Sequence, residues 1–332
     1  MHIDLRTVSV TPLRQTFTNL AERMGSDKPA SRYFEATMDV QPNVNFHYRP
    51  TWDPDHEIFD ASRTKIVMKD WYAFKDPRQF YYGTYTIARA KMQDTAEADF
   101  EFVESRNLAA TLSAEYIKTA LAFYLPLRHV AWGANMNGSF MCAYGYGTAI
   151  TQPCLFNGMD QLGMAQYITR LGLTLGEKTD LDAAKTAWMS APQWQELRRY
   201  VEDTLVIKDW FELFIAQSLV LDGLLFPLAY KYVDAALQAQ GGPVVSMLTR
   251  FQTEWFAETS KWVDSCLRVG AGETPSNQEN LSTWAIHWRD RAVKALTPIA
   301  KQALGEKAES IMTELVEQFN ARCTKVGLTV KG

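Results

Sequence analysis

The stretch Leu213-Phe214-Ile215-Ala216-Gln217-Ser218-Leu219-Val220-Leu221-Asp222-Gly223-Leu224-Leu225-Phe226-Pro227-Leu228-Ala229 decides the fold. Gln217, Ser218, Asp222 and Pro227 interrupt it. It therefore falls short of the roughly 18 uninterrupted apolar residues expected of a membrane span. It reads as a buried core helix of a soluble protein. A lone carboxylate such as Asp222, set among Leu219, Leu221, Leu224 and Leu225, must find a partner or take up a proton. An internal hydrogen-bond network with Gln217, or a face turned to a partner, explains it better than a catalytic acid.

The helical pattern extends both ways from this segment. Ser190, Pro192 and Gln193 combine an N-cap hydroxyl, an early proline and a capping-box amide. From there helix is expected to Gln240, with a break near Val206–Asp209, until Gly241-Gly242-Pro243 stops it. Upstream, Tyr81, Tyr85, Ala88, Met92, Ala96 and Val103 share a helix face. A helix over about 113–135 carries Pro126, which should bend it, and another over about 151–171 ends near Gly172. Downstream, a helix over 244–269 ends at Gly270-Ala271-Gly272, and Ser276-x-x-Glu279 opens one running toward Leu296. Pro298 and Gly305 then punctuate a final pair. No β alternation of useful length interrupts this pattern, and a large all-α bundle is expected.

Residues 1–75 differ. Pro12, Pro29, Pro42, Pro50 and Pro54 favour extended or turn backbone, with one short helix near Thr16–Met24. So long an arm with little structure of its own should lie against the core at 76–332, a partner chain, or both. Phe46, Tyr48, Arg49, Trp52, Trp71 and Tyr72 are its candidate interface residues.

Composition narrows the function. A net charge of −4 without basic clusters gives no footing for nucleic acid or an anionic membrane. The start has no secretory pattern. Cys142, Cys154, Cys266 and Cys323 form no Cys-x-x-Cys pair and read as reduced thiols of a cytoplasmic protein. Phosphate-binding and nucleophile-elbow motifs are missing, and Tyr144-Gly145-Tyr146-Gly147 reads as a loop. A carboxylate-bridged di-iron site in a bundle needs Glu-x-x-His on each of two helices, because residues three apart share a face. Three positions before His47, His56, His129 and His287 stand Val44, Asp53, Pro126 and Trp284, and His2 has nothing there. No Glu-x-x-His exists; Asp53-x-x-His56 comes nearest and lies in the arm.

The run Asn45-Phe46-His47-Tyr48-Arg49-Pro50-Thr51-Trp52-Asp53-Pro54-Asp55-His56-Glu57 resembles the N-terminal region of beta (small oxygenase) subunits of bacterial multicomponent phenol hydroxylases. Asp70-Trp71-Tyr72-Ala73-Phe74-Lys75-Asp76-Pro77-Arg78-Gln79-Phe80-Tyr81-Tyr82-Gly83 is similar to the next block of that family. Pro126-Leu127-Arg128-His129 with Gly133-Ala134-Asn135-Met136-Asn137 is similar to a third, and the likeness spans most of the chain. The resemblance implies a ferritin-like long-helix bundle without a metal site, paired with a homologous alpha subunit that holds the di-iron centre. It also implies a gamma subunit, a dimer of alpha-beta-gamma protomers, a regulatory protein, and a reductase with FAD, an iron–sulfur cluster and NADH. The whole system hydroxylates phenols to catechols with dioxygen.

On this reading Pro126 and His129 mark a degenerate metal motif, and Asp234 and Leu237 a second. His129 is then expected as a hydrogen-bonded residue in or near the core. No catalytic or cofactor-binding residue carries over. Two alternatives are the beta subunit of a toluene or alkene monooxygenase and a catalytic oxygenase with an atypical metal site. Elemental analysis of the purified, folded chain is expected to find no stoichiometric iron. Roughly one or two iron atoms per chain, as a di-iron site would hold, would overturn this.

Overall fold

A computed structural model describes residues 18–25, 29–41 and 49–330, so Phe46 and Tyr48 lie outside the described residues. Within them every regular element is helical. Two short helices, α1 (Thr18–Met24) and α2 (Arg32–Thr37), precede α3 (Tyr82–Ser105), α4 (Ala114–Tyr124), α5 (Leu127–Tyr144), α6 (Thr148–Leu175), α7 (Lys178–Ser190) and α8 (Pro192–Thr204). The 32-residue central helix α9 (Trp210–Gly241) follows. The chain closes with α10 (Val244–Leu248), α11 (Arg250–Glu273), α12 (Pro275–Leu304) and α13 (Ala308–Lys325). The all-α long-helix bundle is the expected one.

Helix α9 is apolar enough by composition to cross a bilayer, yet 83% of its most apolar window is buried in the protein. Helices α5, α11 and α12 contribute to its packing. Asp209 caps it: Oδ1 accepts from the amides of Phe211 (2.9 Å) and Glu212 (3.1 Å). Gly242, with φ at +86°, ends it.

Helices α5 and α6 form the closest pair. A Cβ on Gly138 would lie 2.7 Å from the Gly158 Cα and 2.9 Å from the Cys154 carbonyl oxygen. Backbone meets backbone here, and Asn135 Nδ2 donates to the Gly158 carbonyl at 2.8 Å.

Local signals misplaced several ends. Ser190 closes α7, donating to the Thr186 carbonyl, and Ala191 precedes Pro192 at the start of α8. Thr274, rather than Ser276, caps α12 by accepting from the Asn277 amide at 3.0 Å. Gly172 and Gly270 lie inside helices rather than at turns, and at Gly172 a neighbour crowds the position. A Cβ on Gly172 would stand 2.5 Å from Leu125 Cδ2. At Pro126 the expected bent helix is instead two helices, α4 and α5.

The arm solves its backbone problem by borrowing acceptors and donors from core side chains. The Lys65 amide donates to Asp209 Oδ2 at 2.7 Å, and the Lys69 amide to Glu273 at 2.8 Å. Asn277 mimics a strand neighbour: its Oδ1 accepts from the Val67 amide (3.0 Å) and its Nδ2 donates to the Val67 carbonyl (2.8 Å). Trp71 and Tyr72, expected at a partner surface, are corrected to buried residues of the chain's own core. The Trp71 ring lies 5.6 Å from Trp210 and 6.0 Å from Phe74, so its apolar area is taken up within this chain.

Alanine normally gains about 1 kcal/mol over glycine inside a helix. Gly138→Ala is expected to lose about 1–3 kcal/mol instead, because overpacking must push α5 off α6. Urea denaturation measures the sign; a stabilised variant would show that the two backbones do not touch.

Candidate functional site

Two segments of α9, Ile215–Leu221 and Leu228–Val233, are π-helical. A π turn closes hydrogen bonds between residues five apart, and such turns gather at functional positions. The Asp222 amide donates to the Gln217 carbonyl in this manner. The wider turn lets the two side chains meet: Gln217 Nε2 donates to Asp222 Oδ1 at 2.8 Å. Asn137 Nδ2, from α5, donates to Gln217 Oε1 (2.9 Å) and to Thr204 Oγ1 of α8 (2.8 Å). All four side chains are buried. Asp222 Oδ2 and, on α6, Gln161 Nε2 have no hydrogen-bond partner in the protein. Burial pushes the Asp222 carboxyl up to about 7, against the Gln217 hydrogen bond and the Arg322 charge, which lower it.

A second buried carboxylate, Asp160, is saturated. Arg89 donates from Nε to Oδ1 and from Nη2 to Oδ2, each at 2.8 Å. Tyr85 (2.8 Å) and Trp255 Nε1 (2.9 Å) supply further donors. Glu258 balances Arg89 from the other side at 2.6 Å. This cluster ties α3, α6 and α11 together and leaves Asp160 little capacity for a metal or substrate. Sequence reading missed it, since its members are scattered from Tyr85 to Glu258.

Among the described residues no hydrogen bond joins Pro126 and His129 to Asp234 and Leu237, the pairs that the resemblance suggested as degenerate motif halves. His129 stacks on Trp188 of α7, ring centroids 5.5 Å apart, and its buried Nε2 has no hydrogen-bond partner in the protein. The expected hydrogen bond at that atom is therefore absent. Burial, with the Arg128 and Lys185 charges adding, pushes the imidazole down to about 4. Asp234 turns toward α10, accepting from Ser246 (2.6 Å) and Gln238 (3.0 Å), and Leu237 is buried. Asp53 pairs with both His56 (3.0 Å) and Arg63, so a cation already occupies the nearest approach to a Glu-x-x-His. Among the described residues no group of three His, Cys, Asp or Glu side chains could hold a metal ion. Burial raises the thiol of each cysteine above its usual range, so none of the four is poised as a thiolate.

The surface is more informative. Helices α5 and α6 leave Trp132 (54% exposed), Met136, Leu155, Met159 and Leu162 open to solvent. From His129 to Met159 the sequence contains no Asp, Glu, Lys or Arg, and that signal was available in the sequence but not used. Trp52 is 74% exposed, with its Nε1 donating to the Tyr144 hydroxyl at 2.9 Å. Arg49 is also exposed and donates to the Pro54 carbonyl at 3.0 Å.

Of the buried carboxylates Asp222 and Asp160, only the second is thus fully hydrogen-bonded, and the bundle exposes apolar residues along an uncharged stretch of α5 and α6. Residues 52–274 match the methane/phenol/alkene hydroxylase family, and the chain belongs to it. It is 46% identical to the phenol 2-monooxygenase oxygenase component of Pseudomonas sp. (strain CF600), over 99% of this chain and 98% of that one. A chain of xenon-pressurized phenol hydroxylase from Pseudomonas sp. OX1 superimposes with a TM-score of 0.92 at 43% identity, covering 98% of this chain and 99% of that one. The hydroxylase component subunit beta of the toluene-4-monooxygenase system of Ectopseudomonas mendocina is 24% identical, over 86% of this chain and 90% of that one. The phenol hydroxylase resemblance read from the sequence is thereby borne out.

The raised Asp222 carboxyl predicts a pH signature. Between about pH 4 and 7 the folded protein binds this proton more tightly than the unfolded chain, so its contribution to stability falls as pH rises and levels off above 7. The stability of the wild type minus that of Asp222→Asn should therefore decline across that window, by on the order of 4 kcal/mol at most. Urea denaturation of both proteins at several pH values checks this. A flat difference would mean that Asp222 titrates normally.

Proposed function

We propose that this chain is the non-catalytic beta subunit of the oxygenase component of a phenol hydroxylase. The observation that carries the reading is the apolar surface of α5 and α6, together with end-to-end similarity to phenol 2-monooxygenase oxygenase components. Exposed apolar patches of this kind mark protein interfaces. Trp132 and Met136 are of the residue types that anchor them. The alpha subunit is the proposed occupant. It would hold the di-iron centre, which activates dioxygen for insertion into the aromatic ring. This chain's task is to fix that subunit's position. Trp52 and Arg49 on the arm add a second area of contact, and residues 1–60 are proposed as required for assembly. Gamma subunits, pairing of two protomers, a regulatory protein and a reductase carrying FAD and an iron–sulfur cluster complete the proposed system, in the cytoplasm.

The histidine census supports a scaffold over a catalytic oxygenase with an atypical metal site. Identity of 46% to a phenol 2-monooxygenase component, against 24% to a toluene-4-monooxygenase component, favours phenol over toluene.

Substituting Trp132→Glu together with Met159→Glu tests the surface. The isolated chain should lose little stability, because exposed positions usually change it by less than about 0.5 kcal/mol. Coexpression with the neighbouring subunits, followed by size-exclusion chromatography and phenol turnover, should show assembly and hydroxylation lost together. Unchanged assembly and turnover would remove this face from the interface.

A further inference from the structure

We propose that the interior of the bundle binds one structural water molecule, held between the Asp222 side chain of α9 and the Gln161 carboxamide of α6. Both residues are more than nine-tenths buried, at 4% and 3% exposure. Asp222 Oδ2 and Gln161 Nε2 each lack a hydrogen-bond partner in the protein, and both residues line the same cavity of about 20 Å³. The remaining wall is almost wholly apolar and includes Leu127, Val130, Met164 and Leu225.

Size and chemistry select the ligand. A water needs at least about 10–15 Å³ of such volume and two or more polar partners, so one molecule fits and a second does not. The Gln161 amide N–H donates to the water oxygen; the water donates to Asp222 Oδ2 when the carboxyl is ionised and accepts from it when it is protonated. A calcium or magnesium ion is a poor occupant, because it needs about six oxygen ligands and an amide N–H facing it repels. An apolar guest leaves both polar atoms unpaired. With water in place, hydrogen bonds run without a gap from Thr204 through Asn137, Gln217 and Asp222 to Gln161. That chain joins α8, α5, α9 and α6 across the core. The π-helical segment gains a reason in the same arrangement: it orients Asp222 so that one oxygen meets Gln217 and the other faces the cavity.

The test is a crystal structure of the full chain, in the assembly in which it purifies, at a resolution that shows ordered water. The expected result is one density peak within hydrogen-bond distance, about 2.7–3.2 Å, of both Asp222 Oδ2 and Gln161 Nε2. An empty cavity, a direct Asp222–Gln161 hydrogen bond, or a peak with the ligand distances of a metal ion would each overturn the proposal. Magnetic relaxation dispersion of water nuclei gives a second readout: Gln161→Leu should remove one long-lived internal water. An unchanged count in a folded Gln161→Leu protein would also overturn it, and should that variant fail to fold, the crystallographic result on the unmodified chain decides.

Discussion

A helix buried on nearly every side can send its polar side chains only to one another and to its neighbours. That constraint governs the rest of this molecule. Each large apolar side chain buried along α9 contributes about 1.5–3 kcal/mol. One unsatisfied polar group costs about 1–3 kcal/mol, enough to cancel such a contribution. Gln217 and Asp222 are tolerable only because the π turn brings them together and Asn137 and Thr204 arrive from two other helices. The positions of α5 and α8 are thus tied to the polar groups of α9 as firmly as to its apolar ones.

Helix α5 answers to a different demand on each of its sides. Toward α6, Gly138 and Gly158 let two backbones touch, which brings the pair close enough for Asn135 to reach a backbone carbonyl. Toward solvent, the same helix carries Trp132 and Met136 with no charge between His129 and Met159. A monomeric surface helix would normally place charges there. The absence of charge on an exposed face is a feature that packing within this chain does not explain; the proposed companion subunit would cover it.

The arm belongs to the core in its later part. Residues 64–76 have few backbone partners of their own, so Asp209, Glu273, Asn277 and Tyr33 receive their amides. Trp71 and Phe74 then join the aromatic cluster at the start of α9, around Trp210 and Phe211. Farther forward, Trp52 rests on the end of α5 through the Tyr144 hydroxyl while most of its ring stays exposed. One segment therefore supplies both core and surface aromatics, although all of them sit in similar proline- and turn-rich sequence.

The sequence by itself determined the all-α class, the buried central helix, the stop at Gly241-Gly242-Pro243, the lack of any Glu-x-x-His, and the family resemblance. These depend on interactions within a turn or two of helix, or on residue spacing alone, and both can be read along the chain. Only the tertiary structure decided that Gly172 and Gly270 lie inside helices, that His129 stacks on Trp188, and that Trp71 is buried while Trp52 is not. It alone gathered Asn137, Thr204, Gln217 and Asp222, and Asp160 with Arg89 and Trp255. The reason is physical. A glycine serves equally as a helix end or as a place where another helix comes close, and a tryptophan is equally suited to a core or an interface. Which role each takes depends on segments that lie far away along the chain, as Trp210 does from Trp71, and local preference does not encode their arrival.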